Sequence, residues 1–221
     1  IASFENTHFP LLKKVAQTGK PVIMSTGLAT LKELKESVNF LRKNGCKKLA
    51  LLKCTSSYPA NIEDLNLATI PDLRKRFNCE VGISDHSIGI SAAVTATSLG
   101  ATIIEKHFSL KKNLGLDSKF STQGPEMKNL IEHTTKAWKS FGKIVYGPTK
   151  NEKRFLKYRR SIYAIKDIRK GEKIKKNSIK IIRPSLGLNP TFYWKILGKK
   201  VKKKIMSGSP IKKEFFQKVL R

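Results

Sequence analysis

The sequence predicts an α/β protein: an array of βα units around a parallel sheet, followed by a small β-rich domain. Three observations carry this. Short, near-continuous apolar runs recur roughly every 25 to 30 residues, as buried parallel strands do. Amphipathic stretches with helix start and stop signals lie between them. The pattern then changes after Gly147-Pro148, where charged residues lead into short alternating pieces broken by glycine and proline.

The expected strands are residues 21–26 (PVIMST), 49–55 (LALLKCT), 80–84 (EVGIS) and 102–108 (TIIEKHF), and residues 1–4 read as the end of a fifth. Thr30 is a natural N-cap, and Glu33 three residues on completes a capping box. Leu31, Leu34, Val38 and Leu41 then share one face, and Gly45 stands where the helix should stop. Pro71 reads as a first-turn proline. Residues 88–99 read as a small-residue helix closed by Gly100. Pro125 opens a last helix, with Met127, Leu130, Ile131, Thr134 and Trp138 on its inner face. Such an array fits a TIM barrel or a doubly wound sheet. No G-x-G-x-x-G follows the first strand, which weakens a dinucleotide-binding reading. About five strands fit, and a closed barrel needs eight; three more are expected before Ile1. Residues 1–146 form this domain, 147–160 a linker, and 161–221 the small domain of short strands and turns.

At 221 residues with 39% hydrophobic content the chain suits one large domain or a medium and a small one. No apolar run reaches the roughly 18 residues of a membrane span. Residues 1–10 lack the basic-then-apolar pattern of a signal peptide. Cys46, Cys54 and Cys79 have no metal-type spacing, and a reducing cytoplasm is the expected compartment. The net charge is +29, from 45 Lys+Arg against 16 Asp+Glu. Such charge suits an anionic partner or simply an ordinary lysine-rich surface. The basic residues are spread along the chain, aromatics do not interleave with the dense 199–204 run, and no DNA- or RNA-binding motif is present, so nucleic acid is not the expected partner.

In parallel βα folds the chemistry gathers at the C-terminal strand ends. Those positions hold Glu5; Ser25-Thr26-Gly27; residues 53–59 (KCTSSYP); Ser84-Asp85-His86; and Glu105-Lys106-His107-Phe108. His86 and His107 end successive strands, close enough for both imidazoles to reach one ion. Two histidines with room for oxygens suit an open Mn²⁺ or Mg²⁺ site; equally, they could cap strands through ordinary hydrogen bonds. Ser25, Thr26, Ser56, Ser57 and Ser84 could hold a phosphate or carboxylate, or serve as caps. Lys53 could neutralise a phosphate or only snorkel. Cys54 reads as a small core residue, and His8 and His133 as structural.

The blocks IASFEN, PVIMSTG, LLKCTSSYPA, VGISDHS, GATIIEKHFSL and IIRPSLGLNP, in this order and spacing, resemble the sialic acid (nonulosonic acid) synthase family over essentially all of the chain. LKCTSSYPA, the run from Asp117 to Ser121 and IRP-x-x-GLNP resemble its pseudaminic branch most; the neuraminate and legionaminate branches usually carry His in place of Lys53. The resemblance implies the last part of a TIM (β/α)8 barrel and an antifreeze-like (SAF) domain. It implies condensation of phosphoenolpyruvate with an N-acetylated sugar aldehyde, a divalent metal (Mn²⁺ or Mg²⁺), and a domain-swapped homodimer with no membrane partner. Position by position, His86 and His107 match the metal ligands and Glu5 an active-site acid. Ser25 and Ser84 match phosphoenolpyruvate contacts, Ser56 stands where some members have Asn, and Asp117 matches a residue that binds the sugar chain. Arg183 matches an arginine inserted into the partner's barrel mouth. Leu116, Ser185 and Leu186 depart from the usual pattern. Two other classes compete with this reading: a basic nucleic-acid-binding protein, and an inactive fragment whose small domain still binds.

Overall fold

The computed structural model describes residues 1–112 and 115–216. Contacts divide the chain into two units, Ile1–Lys143 and Ile144–Arg221. The last five positions of the expected small domain, 217–221, lie outside the described residues.

The first unit alternates helix and strand: α1 (Phe9–Ala16), β1 (Val22–Ser25), α2 (Leu31–Lys43), β2 (Leu49–Cys54), α3 (Thr69–Phe77), β3 (Glu80–Asp85), α4 (Ser91–Ser98), β4 (Ile103–Lys106) and α5 (Gly124–Phe141). The strands form one parallel sheet in the order β1-β2-β3-β4. This is half of an eight-stranded barrel sheet. The expected opening strand is not formed. Ser3–Glu5 is a 3-10 turn, because Ser3 and Asn6 turn inward to bind Gly27: Gly27 N donates to Ser3 Oγ at 3.2 Å, and Asn6 Nδ2 donates to Gly27 O at 3.1 Å. Ile1 alone extends the ladder, donating to Ile23 O at 2.8 Å and accepting from Ser25 N at 3.0 Å.

Register fixes the two faces of the sheet. Val22, Met24, Leu51, Val81 and Ile83 pack with Leu34, Val38, Leu41, Ile70, Leu73 and Phe77 of the helices in one core. The alternate residues, paired as Ser25↔Leu52, Cys54↔Ser84 and Ser84↔Glu105, face the other way. The capping box at Thr30 and Glu33 is present. Leu31 departs from the expected stripe and is exposed. Pro71 is the third residue of α3, and α4 starts at Ser91, after a loop in which Gly89 has φ +84°. On α5 only Leu130 and Thr134 are buried; Ile131 and Trp138, expected inside, are exposed. The helix lies against α4 along a narrow i, i+4 stripe.

The second unit has its own core of Ile162, Ala164, Ile168, Ile174, Ile179, Leu188, Ile196, Val201, Ile205, Ile211 and Phe216. Strands β5 (Ser161–Ala164) and β6 (Ile179–Ile182) pair antiparallel. Isolated bridges and the short helix α6 (Tyr193–Ile196) complete it. The expected linker contains a 3-10 turn, Lys153–Tyr158. No helix among the described residues is long and apolar enough to cross a membrane.

Candidate functional site

The C-terminal ends of β2, β3 and β4 bring the predicted residues together rung by rung. Ser84 on β3 faces Glu105 on β4, and the serine hydroxyl donates to Glu105 Oε1 at 2.7 Å. Asp85 and Lys106 are the next pair and point to the opposite face. His86 and His107 follow, with ring centroids 5.1 Å apart and planes at 66°.

The two imidazoles are held differently. His86 is buried, and its Nδ1 donates to the Thr55 carbonyl at 3.0 Å. That bond fixes the tautomer and leaves Nε2 with its lone pair. His107 is one-third exposed, and its Nδ1 lies 3.5 Å from Asp117 Oδ2. The loop after β4 delivers Asp117: Thr122 N donates to His107 O at 2.8 Å, and Ser109 N to Thr122 O at 3.0 Å. The same fold-back seats Phe120 5.1 Å from the His107 ring. Phe120 also lines a cleft of about 460 Å³ with Lys112, Ser118, Lys119, Ser121 and Glu126.

Several neighbours were not legible as site residues. Tyr58 packs its ring 4.3 Å from His86 and 6.0 Å from His107. Cys54 Sγ lies 3.8 Å from His86 Nδ1 and 3.7 Å from Ser56 Oγ. Burial pushes the Cys54 thiol up, but hydrogen bonds from His86, Ser3 and Ser56 outweigh it and hold its pKa below the ordinary value. Burial likewise disfavours charge on His86, yet Cys54, the Thr55 carbonyl and Asp85 together raise its pKa above 6.5. The only sequence signal for these contacts was placement at strand ends; the contacts themselves depend on register.

Ser25, Ser56 and Ser84 line the same side of the sheet end. Gly27 marks how tightly Ser56 and Ser3 close on it: a Cβ there would overlap both hydroxyl oxygens. Glu5 ends the 3-10 turn that begins at Ser3. Lys53 is set apart. It shares a face with Ile83, opposite Cys54 and Ser84, and its ammonium donates to Cys54 O at 2.9 Å and Thr55 Oγ1 at 3.4 Å. Burial lowers its pKa. Arg183 belongs to the second unit and is exposed just past β6. The segment after it is pinned by Ser161 Oγ and Tyr163 OH, which donate to Pro184 O at 2.8 and 3.0 Å. Of the remaining histidines, His8 precedes α1 and His133 lies on α5. Among the described residues no group of three or more His, Cys, Asp or Glu is placed to hold a metal ion; His86 and His107 are the pair that could.

Known proteins resemble the chain along its whole length. It is 43% identical over 221 residues to a pseudaminic acid synthase of Campylobacter jejuni, covering 98% of this chain and 64% of that protein. It is 40% identical over 203 residues to an N,N'-diacetyllegionaminic acid synthase of the same organism, covering 90% and 61%. A crystal structure of N-acetylneuraminic acid synthetase from Leptospira borgpetersenii, in complex with citrate, superposes with a TM-score of 0.65 at 34% identity, over 71% of this chain and 55% of that one. The chain thus spans a little under two thirds of the length of these curated relatives. Residues 159–217 match the SAF domain. Residues 1–146 match the NeuB family, and the chain belongs to that family.

Proposed function

We propose that this chain carries the C-terminal half-barrel and SAF domain of a synthase. The enzyme joins phosphoenolpyruvate to an N-acetylated amino-sugar aldehyde and releases phosphate. The observation that carries the reading is the His86–His107 pair at adjacent strand ends, with serines of the same sheet end beside it, in a chain similar to synthases of this kind. The four-strand sheet leaves Ile23 exposed on its inner face. This supports further βα units in the working enzyme, and the chain alone is expected to be inactive.

The residues fit a divalent ion. The rings of His86 and His107 lie 5.1 Å apart, close enough that both would hold one ion. The imidazoles do not themselves select Mn²⁺ or Mg²⁺, which prefer oxygen ligands; the positions left open for substrate and water oxygens are what would let such an ion bind. Such an ion supplies Lewis-acid polarisation of a carbonyl. Ser25, Ser56 and Ser84 bind the phosphate and carboxylate of phosphoenolpyruvate through hydroxyl and backbone donors. Lys53 lies on the opposite face of the sheet from Ser84, bonded to Cys54 O and Thr55 Oγ1, and is given no part in this step. The enol carbon attacks the aldehyde carbon, and the new hydroxyl takes its proton from an acid such as Glu5. Cationic charge develops at C2 of the phosphoenolpyruvate unit, where a nearby carboxylate stabilises it. Water adds there, and the C2–O bond breaks to release phosphate. Asp117, 3.5 Å from His107, stands on the sugar side. Arg183 reaches the sugar from the partner protomer of a homodimer.

For the sugar we propose the 2,4-diacetamido-2,4,6-trideoxy-altrose type, which yields pseudaminic acid in the cytoplasm. Lys53 and the KCTSSYP run support this branch over the neuraminate and legionaminate ones. The test is phosphate release by the full-length protein with Mn²⁺, phosphoenolpyruvate and each of the three sugar precursors, with products identified by mass spectrometry. Turnover only with the altrose sugar is expected. Turnover with another precursor moves the substrate assignment, and none with any sugar removes the synthase reading.

A further inference from the structure

We propose that the buried ion pair of Asp85 and Lys106 sets the spacing of His86 and His107, making these two charged side chains the positioning residues of the metal site. The inference rests on the two histidines being the metal ligands, as proposed above.

The pair is the last hydrogen-bonded rung of β3 against β4, one residue before each histidine. Lys106 Nζ lies 2.7 Å from Asp85 Oδ2, and the side chains are 3% and 0% exposed. Both carboxylate oxygens of Asp85 are engaged. Asp85 Oδ1 accepts from Ser87 N at 2.9 Å and Ser87 Oγ at 2.6 Å, and Lys106 also donates to Ser87 O at 2.7 Å. The network therefore closes a ring through residue 85, residue 87 and Lys106, with His86 spanned by it. Side chains alternate along a strand. Fixing residues 85 and 106 on the helix side therefore drives His86 and His107 to the other side, at a set height.

Stability alone does not explain the pair. Two charges buried this deeply lose their hydration, and an apolar pair of similar volume is often as stable or more so. What an apolar pair lacks is direction. It tolerates sliding and rotation of the strand ends, whereas a 2.7 Å charged contact with three further hydrogen bonds does not.

The test uses full-length protein carrying Asp85→Leu with Lys106→Met, which replaces the pair by apolar side chains without leaving one charge unpaired. Two readouts are taken: Mn²⁺ affinity by EPR titration, and the cross-peak between the His86 and His107 ring protons in metal-free, histidine-labelled protein. We expect a folded protein with a lowered melting temperature, because buried Ser87 loses its partners, Mn²⁺ affinity weakened about 10- to 100-fold, as for groups that orient ligands, and loss of the ring-to-ring cross-peak. Unchanged affinity and an unchanged cross-peak in the folded double variant overturn the inference. If wild type binds no Mn²⁺, the metal reading fails by itself, and the cross-peak still decides whether the ion pair positions the rings. Should the double variant not fold, Ser87→Ala, which removes one bond to Asp85 and keeps the ion pair, is read by the same two measurements. A smaller change in the same direction supports the inference, and no change in either readout overturns it.

Discussion

Cys54 Sγ lies 3.8 Å from Nδ1 of His86, a contact between residues 32 apart in the chain. The two groups favour each other's charged forms: the thiol is lowered and the imidazole raised from their ordinary values. Burial acts on both in the opposite sense and is outweighed. Cys54→Ala removes the sulfur and leaves the burial, so the His86 pKa should fall. Histidine NMR titration of metal-free protein measures it; a pKa that stays or rises contradicts the assignment of sulfur as the cause.

With His86 a metal ligand, as proposed, the same raised pKa makes that binding depend on pH. A proton and a metal compete for the imidazole lone pair. Because His86 holds its proton to higher pH than a free histidine, Mn²⁺ affinity should begin to fall on acidification while still above pH 6.5. Cys54→Ala should move that fall to lower pH. His86→Ala and His107→Ala should each weaken Mn²⁺ binding by more than about 100-fold, past the range for residues that only support a ligand. Unchanged affinity in both would reduce these histidines to strand caps.

The sheet was legible because buried parallel strands are written locally, as apolar runs between capped helices. Val22–Ser25 and Leu49–Cys54 fall inside their expected spans. Residues 1–4 look like a strand end through Ile1 and Phe4, whereas Ser3 and Asn6 are committed to Gly27. On α5, apolar identity placed Ile131 and Trp138 inside, but only the stripe facing α4 is covered. At the site, each histidine could be placed at a strand end, because that needs only the strand's own sequence. The tyrosine over His86, the thiol at its Nδ1 and the buried Asp85–Lys106 pair join residues 21 to 32 apart. They follow from register, which no local pattern specifies.

Gly187 explains one part of the RP-x-x-G block. Its φ is unremarkable; space is the constraint. A Cβ would stand 2.6 Å from Ile162 O and 2.9 Å from Ile211 O, both backbone atoms. Hydrogen-bonded backbone cannot yield as a side chain would; Ile211 N donates to Ile162 O at 2.8 Å. Gly187→Ala should therefore destabilise the SAF domain by about 1–3 kcal/mol, the usual range for overpacking. It should also loosen Gly187 N from Ser161 Oγ, a 2.9 Å bond, and with it the Pro184 carbonyl that Ser161 holds. Chemical denaturation of the full-length protein checks the first effect. A stability within about 0.5 kcal/mol of wild type, the range of neutral surface changes, contradicts the steric argument.

Arg183 tests whether the two units cooperate across protomers. Its exposure alone favours a solvated side chain, since isolated surface charges seldom carry energy. Two features argue otherwise. The segment that follows is anchored by Ser161 and Tyr163 on the Pro184 carbonyl, so the arginine stands on a fixed base. Its guanidinium can also donate paired hydrogen bonds to a sugar's N-acetyl carbonyl or hydroxyls. In the proposed homodimer, full-length Arg183→Ala and His86→Ala should each be inactive. If the arginine serves the partner's barrel, a mixed dimer has one site with both residues intact and one with neither. Random exchange makes about half the dimers mixed, each with one working site of two, so activity should recover to about a quarter of wild type. If the arginine serves its own barrel, every site in the mixture lacks one residue and no activity returns. Differential tagging confirms that exchange has occurred, and silence after confirmed exchange rules out action in trans.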